Sequence, residues 1–124
     1  MDNMKVIIDT NGFMSNIQFG LDFFKELERL GFKDFIAPSS VVRELDALKR
    51  FSKGKDKMAA NVSLTLAQKC RQVITEGPTD DAIIELALEE GTAVYTNDAE
   101  LKKRLSSKDI TIVHLRSKDH LEIM

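Results

Sequence analysis

The sequence contains no Trp, a single Cys and only two Pro, and the shortages exclude whole classes of protein. A lone Cys70 cannot close an internal disulfide, and with two His in the chain no Cys/His set has the spacing of a zinc site. The chain is therefore expected in a reducing compartment, the cytoplasm. Long hydrophobic runs are lacking too: none approaches the roughly 20 residues that span a bilayer. Met1 to Lys5 lead straight into an apolar strand, without the layout of a signal peptide. Charge of one sign is also missing. Lys and Arg number 18 against 20 Asp and Glu, a formal net charge of −2. That balance would argue against a nucleic-acid partner, except that carboxylates gathered in a site cancel basic surface elsewhere.

What is present suits one globular core. With 124 residues, 43% hydrophobic and 31% charged, the expectation is a single domain over residues 1–124, too short for two independent cores. Lys5 to Ile8 reads as a buried strand ended by Asp9, with a turn at Asn11 and Gly12. Leu21, Phe24, Leu27 and Leu30 carry helical spacing over about Ile17 to Leu30, and Gly31 stops it. Phe35 to Ala37 reads as a second strand, after which Ser39 or Ser40 caps a helix to about Phe51. A polar break follows, then a helix from Lys57 to about Ile74, capped by Asp56 and apolar at Val62, Leu66 and Val73.

Gly77-Pro78 is a turn, and Thr79 caps a helix from Asp80 to Glu90 that Gly91 closes. Ala93 to Thr96 is a third strand, Asp98 to Leu105 a short helix, Ile110 to Leu115 a fourth strand, and the rest a polar tail. Helices alternating with strands that are apolar on both faces predict an α/β fold, a parallel sheet covered on two sides. Such sheets gather ligands at the carboxyl ends of their strands.

Acids recur at those ends. Asp9 follows the first strand and Asp98 the third, so a parallel sheet brings both to one edge; each is also an ordinary cap or turn residue. Glu44 borders the stripe Val41, Leu45 and Leu48 and needs a partner there, either a cation of the fold or a bound one. Asp80 and Asp81 suit a helix N-terminus electrostatically and can also aim at a cation above the sheet edge. Carboxylates brought together repel one another unless a cation intervenes. An all-oxygen set favours Mg²⁺ or Mn²⁺, ions suited to phosphodiester hydrolysis.

The runs Ile7-Ile8-Asp9-Thr10-Asn11, Val41-Val42-Arg43-Glu44-Leu45, Thr79-Asp80-Asp81-Ala82-Ile83-Ile84 and Val94-Tyr95-Thr96-Asn97-Asp98, with Leu101-Lys102 behind the last, resemble the PIN domain, a family of metal-dependent ribonucleases. The resemblance covers nearly the whole chain in order. It implies a three-layer α/β/α sandwich and cleavage of single-stranded RNA. It places the family's four acids on Asp9, Glu44, Asp81 and Asp98 as catalytic metal ligands, with Asp80 the alternative for the third. Thr10 or Asn11 takes the place of the small polar residue after the first acid. Thr96, Asn97 and Glu100 stand as supporting residues. Two branches are similar: the toxin of a VapC-type pair, which implies an antitoxin protein as partner, and the ribosomal-RNA-processing branch, suggested by Ala37-Pro38-Ser39-Ser40 before the Glu44 helix.

Lys49, Arg50, Lys53, Lys55 and Lys57 cluster around the break after that helix, and Lys102, Lys103 and Arg104 follow Asp98. Either group can guide an RNA backbone or be a solvated helix end. Base stacking finds little support, since Tyr95 is the only Tyr and the Phe residues mostly fall at core spacing. His114, His120 and Cys70 show no catalytic arrangement. Small size, Phe23 and Phe24 in the early helix and the family's habit suggest a homodimer. The alternative to an enzyme is an RNA-binding or scaffold protein that keeps this fold and cleaves poorly. A receiver-like phosphorylation module is disfavoured because the last strand offers Arg116 and Lys118 only at its far end.

Overall fold

The central strand explains the rest of the architecture. In the computed structural model, which describes residues 4–124, β1 (Met4–Ile8) contributes Val6, Ile7 and Ile8, all with no exposed surface. A strand buried on both faces must be paired on both edges and covered by helices on both sides. It pairs in parallel with β2 (Phe32–Pro38) on one edge and β4 (Ala93–Tyr95) on the other. Beyond them lie β3 (Arg71–Val73), β5 (Ile112–Arg116) and β6 (His120–Ile123), in the order β3-β2-β1-β4-β5-β6. The chain runs outward from β1 to β3, then crosses back to β4 and continues to β5. Right-handed crossovers in opposite directions put their helices on opposite faces, giving the three-layer α/β/α arrangement. Met1 to Asn3, part of the segment read for a signal layout, lie outside the described residues.

Two departures from the expected elements shape the site. The single early helix is two: α1 (Thr10–Gln18) and α2 (Phe23–Arg29). Gly20 takes a left-handed φ of 62°, and α2 restarts with the Asp22 carboxylate accepting from Lys25 N at 3.3 Å. Phe23 is buried and stacks edge-on to Phe13, while Phe24 packs against Phe35. Phe23 thus belongs to the core, and Phe24 packs partly buried against it. Asn11 and Gly12, expected as a turn, lie in the first turn of α1. Gly12 is there for closeness: a Cβ would stand 3.0 Å from the Tyr95 ring and 3.1 Å from the Tyr95 carbonyl oxygen. Gly12→Ala is expected to lower stability by about 1–3 kcal/mol, the usual cost of overpacking, read as an earlier urea midpoint.

The helix predicted to end near Ile74 is also divided. α3 (Ser39–Phe51) is followed by α4 (Gly54–Gln68) and then by β3, which pairs Arg71 with Ile36. α4 buries Ala59, Ala60, Ser63 and Ala67 and leaves Val62 exposed, because small side chains let it lie close against α1 and α3. Asp56 sits in its first turn; its cap position is Lys53. Pro38 holds the cap position of α3, and the Ser39 and Ser40 hydroxyls turn to Thr75 instead. α5 (Thr79–Glu90) closes on Gly91 in left-handed conformation, as its sequence requires, and α6 (Ala99–Ser107) leads to β5. The supposed polar tail is β6, antiparallel to β5, with Leu121 fully buried. Among the described residues no helix is long and apolar enough to cross a membrane.

Candidate active site

Because Ile8 and Tyr95 are register partners in parallel strands, Asp9 and Thr96 leave the sheet side by side. The Asp9 carboxylate caps α1, Oδ1 accepting from Thr10 N at 2.8 Å, and Oδ2 accepts from the Thr96 hydroxyl at 2.8 Å. The same hydroxyl accepts from Asp98 N at 3.1 Å, and Asp98 Oδ1 caps α6 by accepting from Leu101 N at 2.9 Å. Each of these acids therefore caps a helix and stands at the shared sheet edge as well. Asn97 locks the corner. Its backbone NH donates to Asn11 Oδ1, its side-chain NH₂ to Ser15 Oγ, and its side-chain Oδ1 accepts from Leu115 N at 2.8 Å.

Glu44 reaches the same crevice from α3. No Lys or Arg among the described residues pairs with it. Instead Oε1 accepts from the Thr10 hydroxyl and Oε2 from the Thr79 hydroxyl at 2.7 Å. Thr79, expected only as a helix cap, makes no cap bond and joins the crevice, a role that sequence reasoning missed. A hydroxyl next to an acidic pair at a helix start carries no signal that distinguishes the two uses.

The two acids that begin α5 have different surroundings. Asp81 is half-exposed and turned to Arg104, Oδ1 accepting from Nη2 at 2.6 Å. Asp80 faces the crevice: partial burial raises its pKa first, then the charge of Asp98, with Glu44 and Asp81 adding and Arg104 opposing. Asp9 responds to the same neighbourhood. Only 6% exposed, its carboxyl is pushed up to about 6, chiefly by burial. The Thr96 and Thr10 hydrogen bonds pull it down, and the charges of Asp80 and Glu44 add to the rise. Asp9, Glu44, Asp80 and Asp98 thus share one field of like charge, to which Asp81 adds from its place against Arg104. Consecutive residues on a helix point ~100° apart, so only one of the two acids at the start of α5 can face inward.

An all-carboxylate set of this kind fits a hard divalent cation. As they stand, no three acids among the described residues are placed together closely enough to hold an ion, so the carboxylates would have to draw in around a cation on binding it. The remaining candidates are peripheral. Glu100 is exposed in the first turn of α6, where the helix dipole accounts for it. His114 meets Lys102 and His120 meets Asp119, neither meeting a site acid. Burial pushes the Cys70 thiol up to about 12, leaving it inert. Of the cations around the α3–α4 break, Arg50 pairs with Asp46 and Lys57 donates to the Lys49 carbonyl. Lys53 and Lys55 make no ion pair among the described residues.

An α/β/α sandwich with acids at the carboxyl edge of its central strands defines a class, and the chain belongs to it: the family described as "PIN like domain" matches residues 6–118. Ribonuclease VapC9 of Archaeoglobus fulgidus is 34% identical over 110 residues, covering 89% of this chain and 82% of that one. Ribonuclease VapC4 of Methanocaldococcus jannaschii is 34% identical over 125 residues, covering 96% and 95%. Among solved structures, the PIN domain endonuclease Utp24 superposes with a TM-score of 0.78 at 21% identity, covering 96% of this chain and 90% of that one. A domain of a functionally unknown protein from Methanocaldococcus jannaschii gives 0.66 at 18% identity, covering 92% of each. These two likenesses speak to the fold.

Proposed function

We propose that the chain is a divalent-metal-dependent endoribonuclease that hydrolyses phosphodiester bonds in single-stranded RNA, with Asp9, Glu44, Asp80 and Asp98 holding the metal. The observation that carries the reading is Asp9, a buried carboxylate raised to about 6 and surrounded by other acids. A fold has little reason to bury such a charge without a cation to meet it. Asp9, Glu44, Asp80 and Asp98 would hold Mg²⁺ or Mn²⁺ here, and the ion would supply Lewis acidity toward water and the leaving oxygen.

The side chains do the positioning. Thr10 and Thr79 hold both Glu44 oxygens, so α1 and α5 are tied to α3 across the crevice. Thr96 sets the Asp9 carboxylate and, through Asp98 N, the start of α6. Asn97 fixes that corner to α1 and β5, so the acids are held by backbone-anchored bonds and lose little order on binding substrate. No His is placed to act as a general base. Lys49, Arg50, Lys53, Lys55 and Lys57 supply positive charge for the RNA backbone.

The relatives named ribonuclease VapC, matched over most of both chains, favour the toxin branch over the ribosomal-RNA-processing branch. An antitoxin protein is the corresponding partner, and a small reading frame beside the gene is the expected sign of it. With Mn²⁺ at about 100 times its dissociation constant, linkage contributes about 2.7 kcal/mol. The melting temperature should therefore rise by several degrees, and EDTA should reverse it. Single-stranded RNA should be cut in the same buffer and left intact in EDTA. RNA bound but uncut in Mn²⁺ would leave the binding or scaffold alternative.

A further inference from the structure

Phe51 is an exception among Phe residues that mostly pack in the core. At the end of α3 it is 81% exposed. Single exposed apolar side chains are ordinary, but Phe51 is not isolated. It walls a groove whose other lining residues are Thr10, Glu44, Ala47, Leu48 and Ser52. Glu44, Ala47, Leu48 and Phe51 follow the spacing of one helix face. That face runs from a metal-edge carboxylate at one end to an aromatic ring at the other, ~10 Å along the axis. The groove is thus continuous with the candidate active site and shares Thr10 and Glu44 with it.

Chemistry singles out the occupant. Arg50, which pairs with Asp46, borders Phe51 in the neighbouring hollow, and Lys53 follows the groove residue Ser52 at the start of α4. An exposed aromatic ring in an apolar groove that runs into a phosphodiester site, with Arg50 and Lys53 close by in the chain, matches a single nucleic-acid strand, whose base takes the ring and whose backbone passes on to the acids. From this, and resting on the ribonuclease reading above, we infer that the groove seats a nucleobase of the RNA strand close to the scissile phosphate. Phe51 is its stacking platform. Ala47 and Leu48 supply the apolar floor, and the Ser52 hydroxyl offers a hydrogen bond to the base edge. Every nucleobase has a stacking face, so the subsite favours unpaired RNA over duplex without strong preference for sequence.

The test measures equilibrium binding of a fluorescent single-stranded RNA oligomer in Mn²⁺, in an Asp9→Asn background that keeps the RNA whole. Phe51→Ala should weaken binding roughly tenfold, as loss of a base stack does, and Phe51→Trp should restore it. Ile74→Ala, at an equally exposed position (89%) outside the groove, should bind as the background protein does. An oligomer of abasic ribose phosphates should bind equally well whether or not Phe51→Ala is present. Thermal melts of all variants check the fold, which an exposed ring does not sustain. Equal RNA affinity with and without the ring, an equal loss for the abasic oligomer, or no binding at all would overturn the inference. So would a change of oligomeric state in Phe51→Ala with RNA affinity unchanged, which would make the patch a protein contact. Failure of the unmodified chain to cut RNA would count against the nuclease reading alone, since binding is scored separately.

Discussion

An Asp9→Asn chain is expected to cut RNA about a hundredfold more slowly or worse, yet to be at least as stable as the parent in EDTA at pH 7. The two halves come from one fact. In the metal-free fold the Asp9 carboxyl is raised from its ordinary 3.8 to about 6, mainly by burial, so the fold favours the protonated acid. Holding it ionised at pH 7 costs about 3 kcal/mol. The cost is absent below pH 3.8, where the acid is protonated folded or unfolded. It grows as pH rises through about 6. The metal-free parent should therefore lose stability between those values, and Asp9→Asn should flatten that fall. Asn still accepts from Thr10 N as a cap, and the Thr96 hydroxyl can rotate to accept from its amide. Denaturant melts from pH 4 to 7, with RNA turnover on the same two proteins, check both halves. A variant cutting at the parent rate would remove Asp9 from the site.

The second large effect separates neighbours. Asp80→Asn should slow cleavage about a hundredfold and shrink the Mn²⁺ stabilisation, because Asp80 lies among Asp9, Glu44 and Asp98. Asp81→Asn should change turnover by only a few fold, since it breaks a half-exposed pair with Arg104, and such surface pairs contribute ~0–1 kcal/mol. The reverse ranking would restore Asp81 as the third ligand. Both substitutions remove one charge from the first turn of α5, so the helix-dipole contribution is matched and the comparison isolates direction.

The Asp80 and Asp81 pair also marks the boundary of what a sequence discloses. The strand ends are legible to within a residue because short apolar runs stop at Asp9 and, one residue past the observed end at Tyr95, at Thr96, and the parallel sheet then follows from alternation with helices. The start of α5 is legible too, but which of two adjacent acids faces the crevice depends on how the helix lies on the sheet. β3 and β6 stay hidden because edge strands are short and mostly solvated: Arg71, Gln72 and Ile123 are exposed. The α1–α2 break is masked by apolar spacing that continues across Gly20, and the turn into β6 by Ser117 and Lys118, which adopt positive φ without a glycine to announce it. Phe51 escapes the sequence for a related reason. Helical spacing says which residues share a face, and only the packing of α4 shows that this face is left open.

The bond between Asp9 and Thr96 joins residues 87 positions apart, and this has a consequence for synthesis. While β1, β2 and β3 and their helices emerge from the ribosome, they can assemble one half of the sheet with β1 as its unpaired edge. At that stage Asp9 has no Thr96 to orient it and no Asp98 opposite, and Glu44 has only Thr10. The constellation is complete only after β4 docks on β1 and α6 begins. The crevice thus arrives late in synthesis, as a property of the finished sheet and not of any segment of it.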